Sequence, residues 1–381
     1  MKSRRLTVAT APAVIAVAML AGAATSTAGP AAASESDVRA QVDTVGFASS
    51  WDDFESVLAA ALAEEGMTPA DAQPVVGGPT WVAAIVPHDD YVYAGRTAVH
   101  ALAGLRARHW LVVGVCHACR RIGLRDRVLF DSYRAWRVAG VDIPVDAELR
   151  AALLTRLDPE AFTVNDERHA AEHSVEALLP WLRAAQPEAV FVPVLVAGMD
   201  FDHLRALAGD LAEALAAICV ENGWLPGRDL GVLISADAVH YGCSGWGESG
   251  GHHPFGCDEV GHAAAVARDI TLAEATLAGW VNEDALARFA RLVWDPDNPD
   301  YPYKITWCGL YSIPFGLSLA EDLQAALERP RLWGELLRYG DSVSDGRLEV
   351  PETELGVTAP NTLEHWVGYP ALGYRAAPTR P

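Results

Sequence analysis

Four short apolar runs, separated by stretches with helical spacing, constrain the fold of this chain more than any other feature. They are Trp81–Val86, Trp110–Val115, Ala189–Val196 and Leu230–Ser235, all rich in Val and Ile. A strand with one wet face alternates apolar and polar residues, whereas continuous runs of this kind suit strands covered on both faces of a parallel sheet. The 3.6-residue spacing predicts helices over Gly95–Arg106, Ala147–Leu157, His173–Ala185 and Phe201–Glu221, and further ones near Glu259–Leu277, Glu283–Leu292 and Gly309–Leu327. Phe130–Val145 has mixed alternation and reads as an edge hairpin or strand. The expected fold is α/β: a doubly wound, mostly parallel sheet with helices on both faces, spanning residues 78–330.

The flanks read differently. Lys2, Arg4 and Arg5 precede an uncharged stretch from Leu6 to Ser34 that contains an apolar core and small residues, the pattern of an export signal over residues 1–34. The expected location is therefore secreted or extracytoplasmic, and Ser3-Arg4-Arg5 hints at the twin-arginine route. Residues 35–77 are expected to form a helical extension and linker, with Trp51, Phe54, Val57, Leu58 and Leu62 on one helical face. Residues 331–381 read as a C-terminal extension, acidic, Pro-containing and mostly irregular from Asp341.

Acidic residues outnumber basic ones 50 to 29, for a formal charge of −21. A binder of nucleic-acid backbones or anionic lipid needs clustered Lys and Arg, so both partner classes are disfavoured. A small-molecule substrate or a cation is favoured, with no stable membrane insertion once the signal is removed. The 12 Trp are scattered without basic interleaving and are expected in the core. No Walker A, G-x-G-x-x-G or G-x-S-x-G pattern occurs, so nucleotide binding and ordinary serine esterase chemistry lack support.

In an open α/β sheet, ligands bind beyond the carboxyl ends of the strands. His88 lies two residues past the first apolar run and His117 two past the second. His240 follows the fourth, and Cys308 precedes a predicted helix. Imidazoles and a thiolate meeting at one rim would supply ligands for Fe(II), Cu or Zn.

The residues around these positions resemble those of the MEMO family (AmmeMemoRadiSam system protein B). Val86-Pro87-His88, continuing through Tyr91 to Ala98, resembles its first signature, and Glu172-His173-Ser174-Val175-Glu176 with Leu179-Pro180-Trp181-Leu182 its second. Ser235-Ala236-Asp237 with His240-Tyr241-Gly242 resembles the third, and Thr306 with Cys308-Gly309 the fourth. The resemblance implies a fold similar to class III extradiol ring-cleavage dioxygenases. It further implies His88, His117 and Cys308 as ligands of Fe(II) or Cu, His240 as acid/base or an additional ligand supported by Asp237, and His173 lining the pocket. The implied activity is a metal-dependent oxidoreductase acting on a small, possibly aromatic substrate; the alternatives are a non-catalytic copper- or iron-binding protein and a peptide-binding scaffold. Two departures from the family pattern stand out: Asp89-Asp90 replaces a small pair after the first His, and Cys116 precedes His117 where Ser is usual.

Other patterns compete for the same residues. His169-Ala170-Ala171-Glu172-His173 matches H-x-x-E-H, which on a helix would place two imidazoles on one face as in a zinc peptidase. Cys116-x-x-Cys119 is either a thioredoxin-like redox pair, a local disulfide or two free thiols. Cys243 and Cys257, near His252, His253 and His262, would form a disulfide, sit in a solvated loop or hold structural zinc. Cys219 falls in an apolar helix and is expected in the core.

Overall fold

The computed structural model describes residues 37–74, 77–78, 80–245, 251–298, 301–351 and 353–377. The expected export segment 1–34 lies outside the described residues. No described helix is long and apolar enough to cross a membrane.

The chain opens with strand β1 (Val38–Arg39) and helix α1 (Trp51–Glu64), whose first turn is capped by the Ser50 side chain accepting from the Asp53 backbone N–H. Strand β2 (Ala83–Val86) and helix α2 (Tyr91–Ala98) follow, the latter continuing as a 3₁₀ turn over Val99–Gly104. Strands β3 (His109–Val115), β4 (Val128–Phe130), β5 (Ala135–Val138) and β6 (Val141–Pro144) lead to helix α3 (Ala147–Leu154). Next come β7 (Phe162–Val164), the five-residue helix α4 (Asp166–Ala170), α5 (Leu179–Ala185), β8 (Val190–Val196) and α6 (Phe201–Asn222). The remainder comprises β9 (Leu230–Ser235), β10 (His240–Tyr241), α7 (Glu259–Thr276), β11 (Gly279–Trp280), α8 (Glu283–Val293), α9 (Ser312–Ala326), β12 (Leu332–Asp341) and β13 (Trp366–Ala376).

Ten of the described strands form one sheet in the order β11-β12-β13-β2-β9-β3-β8-β4-β7, with β10 paired to β13. The four strands expected from the apolar runs, β2, β9, β3 and β8, are its parallel centre. The flanks are mixed: β13 runs antiparallel to β2, and β4 antiparallel to β8. Alternate residues of each central strand enter two different cores. Ile85, Leu111, Val113, Val192 and Ile234 pack with α3, α6, α8 and α9. Ala84, Trp110, Val112, Phe191 and Leu233 pack with α1, α2 and α5. A sheet buried on both faces is what continuous apolar strands require. Trp110, Trp136, Trp181, Trp307 and Trp366 are all fully buried, as expected for core residues.

Four expectations need correction. The tail is not irregular, because β12 and β13 are long strands and β13 extends the sheet beside β2, pairing Leu372 with Ile85 and Tyr374 with Ala83. β12 is largely half-buried, and β13, though almost wholly buried, carries Gly, Tyr and Pro where the central strands carry Val and Ile, so neither shows the continuous apolar pattern. The hairpin in 130–145 exists as β5 and β6, yet it belongs to a separate three-stranded sheet with β1 and not to the edge of the large one. Its two-residue turn has positive φ at both Ala139 (49°) and Gly140 (70°), the geometry that matches strand twist in a tight hairpin. Residues 173–185 are helical only from Glu176, as a 3₁₀ turn and then α5, because Glu172 draws the backbone N–H groups of His173 and Ser174 to its side chain. Helix α4 ends at Ala170, so the H-x-x-E-H residues do not share a helical face.

Candidate metal centre

The parallel order β2-β9-β3 sets the carboxyl ends of three strands side by side. His88 leaves β2, Asp237 and His240 leave β9, and His117 leaves β3. Cys308 arrives from the far side, at the start of a 3₁₀ turn over Cys308–Leu310 that leads into α9. Backbone bonds from Cys308 N to Ala238 O and from Gly309 N to Asp237 O tie that turn to the loop after β9. Gly309 is required by close approach: a Cβ there would lie 2.5 Å from the Ala236 Cβ.

The three expected ligands meet. The His117 Nε2 lies 2.9 Å and the His88 Nε2 3.4 Å from the Cys308 Sγ, and the three donor atoms all fall within 4.8 Å of one another. His88 and Cys308 are buried and His117 is half-buried. Both rings are aimed by their other nitrogen. The Ser235 hydroxyl donates to the Ser174 carbonyl, so it accepts from His88 Nδ1–H at 2.7 Å, which leaves the Nε2 lone pair facing the thiol. His117 Nδ1 donates to Glu172 Oε1 at 2.8 Å, leaving its Nε2 similarly placed. Glu172 also accepts from the backbone N–H groups of His117, His173 and Ser174.

The electrostatics suit a cation. Burial, reinforced by His117 and His173, holds His88 well below its ordinary value and therefore neutral. Burial also lowers His117, but the Glu172 carboxylate outweighs it and leaves the imidazole raised. Burial would raise Glu172, yet His117, His173 and the backbone N–H groups bring it far below the usual carboxylate range. The Cys308 thiol is pushed well up by burial and then by Asp237, Glu172 and Asp89. Asp237 is likewise pushed well up by burial and by Asp89. A buried thiol crowded by carboxylates, beside two neutral-capable imidazoles with aimed lone pairs, is a donor set that fits a borderline or soft metal ion.

The other expected site residues take distinct places. Asp237 supports His88: its Oδ1 accepts from the His88 backbone N–H at 2.9 Å, and its Oδ2 lies 3.4 Å from His88 Nε2. His240 is outside the groupings of potential ligands, and its backbone is tied to Thr306. Burial pushes it down to about 4, which leaves the imidazole uncharged at pH 7. His173 stands over the centre, its ring 4.9 Å from that of His117 and 5.6 Å from that of His88, with Nδ1 2.7 Å from Asp43. With His117 and Glu172 it makes a second grouping of potential ligands. His169, by contrast, packs edge-on against Trp136 and donates from Nε2 to the Leu129 carbonyl. The two imidazoles of H-x-x-E-H thus serve different neighbours, and Glu172 is saturated with donors, so the peptidase geometry is not assembled.

Of the acidic pair after His88, Asp90 turns away to accept from the Thr358 backbone N–H and hydroxyl, whereas Asp89 accepts from the Tyr369 hydroxyl. Cys116 and Cys119 form a disulfide, as do Cys243 and Cys257, while Cys219 and Cys308 are free and buried. Sequence reasoning missed the roles of Ser235 and Glu172 in aiming the imidazoles. Glu172 carried a signal, since it abuts His173 in the second signature, but Ser235 looks like any strand-terminal Ser. A cavity of about 270 Å³ opens against His117 and Cys308, with Arg120, Arg121, Tyr303 and Tyr311 among its walls.

Comparison with known proteins identifies relatives of the chain. The family described as Memo-like protein matches residues 64–342. A MEMO1 family protein of Archaeoglobus fulgidus is 31% identical over 190 residues, 49% of this chain and 62% of the relative. One from Methanopyrus kandleri is 28% identical over 177 residues, 45% of this chain and 58% of the relative. The chain thus spans about six-tenths of the length of these curated relatives. A solved structure of an uncharacterized Escherichia coli K12 protein aligns with 75% of this chain and 98% of its own at 14% identity and a TM-score of 0.39. With its signatures in order along the matched span, the chain belongs to the Memo-like protein family.

Proposed function

We propose that this protein is a metal-dependent oxidoreductase that holds iron or copper through His88, His117 and Cys308 and acts on a small aromatic substrate. The observation that carries this reading is the convergence of two aimed Nε2 lone pairs on the Cys308 Sγ beside an open cavity. Three protein ligands leave positions for substrate and O₂, which a closed storage site does not need, and this favours turnover over simple ion buffering. A bound iron or copper ion would supply one-electron chemistry and polarisation of a coordinated oxygen.

The chain's own residues would do the rest. Glu172 and Ser235 keep the imidazoles in the tautomers that present Nε2. Cys308 has to lose its thiol proton to become a ligand. His240, neutral in its buried setting, would accept a proton from a substrate hydroxyl, and His173 would restrict the approach. Export is proposed from residues 1–34 and is supported by the two disulfides, which persist in oxidising compartments.

Anaerobic purification followed by metal analysis of the native protein, His117→Ala and Cys308→Ala tests the centre. Native protein carrying iron or copper that both variants lose is the expected result; equal metal content in all three samples would falsify the proposal. Oxygen uptake with a panel of catechols then separates turnover from storage.

A further inference from the structure

We infer that the cavity beside His117 and Cys308 is built for an aromatic carboxylate, with the anion held by Arg120 and Arg121 and the ring set between tyrosines. This deepens the reading above and rests on it for the identity of the reacting centre. The chain carries 50 acidic residues against 29 basic ones, so its overall field repels anions. Yet the turn that follows His117 brings Arg120, Arg121 and Arg125 to one cavity wall. Among the described residues, neither Arg120 nor Arg121 forms an ion pair with a carboxylate. Arg120 lies over the Tyr303 ring at 5.9 Å. Guanidinium groups left without an internal acid at a cavity match a carboxylate brought by a ligand.

The turn is held in shape rather than left loose. The Cys116–Cys119 disulfide closes its start, Leu124 N bonds Cys119 O at 2.9 Å, and Asp126 N bonds Gly198 O at 3.0 Å. The lining also carries the aromatic rings of Tyr303 and Tyr311, and burial raises both phenols, Tyr303 well up and Tyr311 to about 12, so they stay neutral and repel no anion. At about 270 Å³ the space is near the lower end of ligand pockets and fits one ring with a short substituent. A carboxylate on the arginines would direct the far edge of such a ring toward His117 and Cys308.

Calorimetric titration of the full protein with benzoate, benzyl alcohol and acetate tests this. Benzoate is expected to bind about tenfold or more tightly than either the neutral ring or the ringless anion, and Arg120→Gln and Arg121→Gln are each expected to weaken it about tenfold. Benzyl alcohol binding as well as benzoate, no benzoate binding, or unchanged affinity in both variants would overturn the inference. Should a variant not fold, the native protein decides: affinity for benzoate has to fall between about 0.05 and about 0.5 M NaCl, and a flat response overturns it. Metal content measured on the same samples keeps the two proposals apart. Benzoate binding without metal sinks only the reading of the centre, and metal without benzoate binding sinks only the pocket.

Discussion

At the level of single residues, the centre depends on side chains that would not themselves touch a metal. Glu172 accepts four hydrogen bonds, one of them from His117 Nδ1, and is fully ionised because of them. Replacing it by Gln keeps the shape and removes the charge that steadies the imidazole. Glu172→Gln is therefore expected to lower metal affinity by roughly 10- to 100-fold with little change in fold, read by competition against a chelator. Ser235→Ala removes the acceptor that sets the His88 tautomer and is expected to act in the same direction, whereas Ser244→Ala, on the loop beyond β10, is expected to leave metal affinity unchanged. His88, His117 and Cys308 were legible as a set because each follows a strand or precedes a helix at the sheet rim. Ser235 was not, since its role depends on the Ser174 carbonyl, 61 residues away in sequence.

At the level of elements, the two flanks are bound into the domain. Arg39 of β1 is 2% exposed, pairs with buried Glu176, and donates to the backbone carbonyls of His169 and Glu172. It therefore braces the loop that carries the orienting carboxylate. Arg39→Ala leaves Glu176 buried without its cation and should cost about 3–5 kcal/mol, measured by urea unfolding, with the metal loop loosened as well. On the other side, β13 covers the β2 edge from which His88 departs. Truncation after residue 330, at the expected boundary, would strip β12 and β13 and expose β2 as an open apolar edge. Such a chain is expected to aggregate and not to fold into a smaller domain, checked by solubility and circular dichroism. The boundary misled because Gly- and Tyr-rich strands on a mixed flank lack the Val/Ile signature of parallel strands.

For the molecule as a whole, buried titratable groups set opposing responses to acid. Burial holds His169 at about 4, against an ordinary value of 6.5, so the folded state resists its protonation and stability is lost as pH falls from 6.5 through about 4. Burial raises Asp131 and Asp269 to about 6 from 3.8, so their contribution runs the other way, with stability gained as pH falls through about 6 toward 3.8. In His169→Gln the acid-side loss between pH 6.5 and 4 should shrink, and the stability gap to the native protein should narrow steadily over that window in denaturant titrations at stepped pH. An unchanged gap would remove His169 as a source of acid sensitivity. By itself, the order of residues determined the four central strands, the positions at their carboxyl ends and the family signatures, because apolar periodicity and local motifs are written in neighbouring positions. Only the tertiary structure decided which groups aim the imidazoles of His88 and His117, which of Asp89 and Asp90 faces the centre, and that both termini of the described chain complete the sheets. Those outcomes rest on contacts between segments far apart in sequence, where burial and hydrogen-bond geometry, and not local pattern, select the partner.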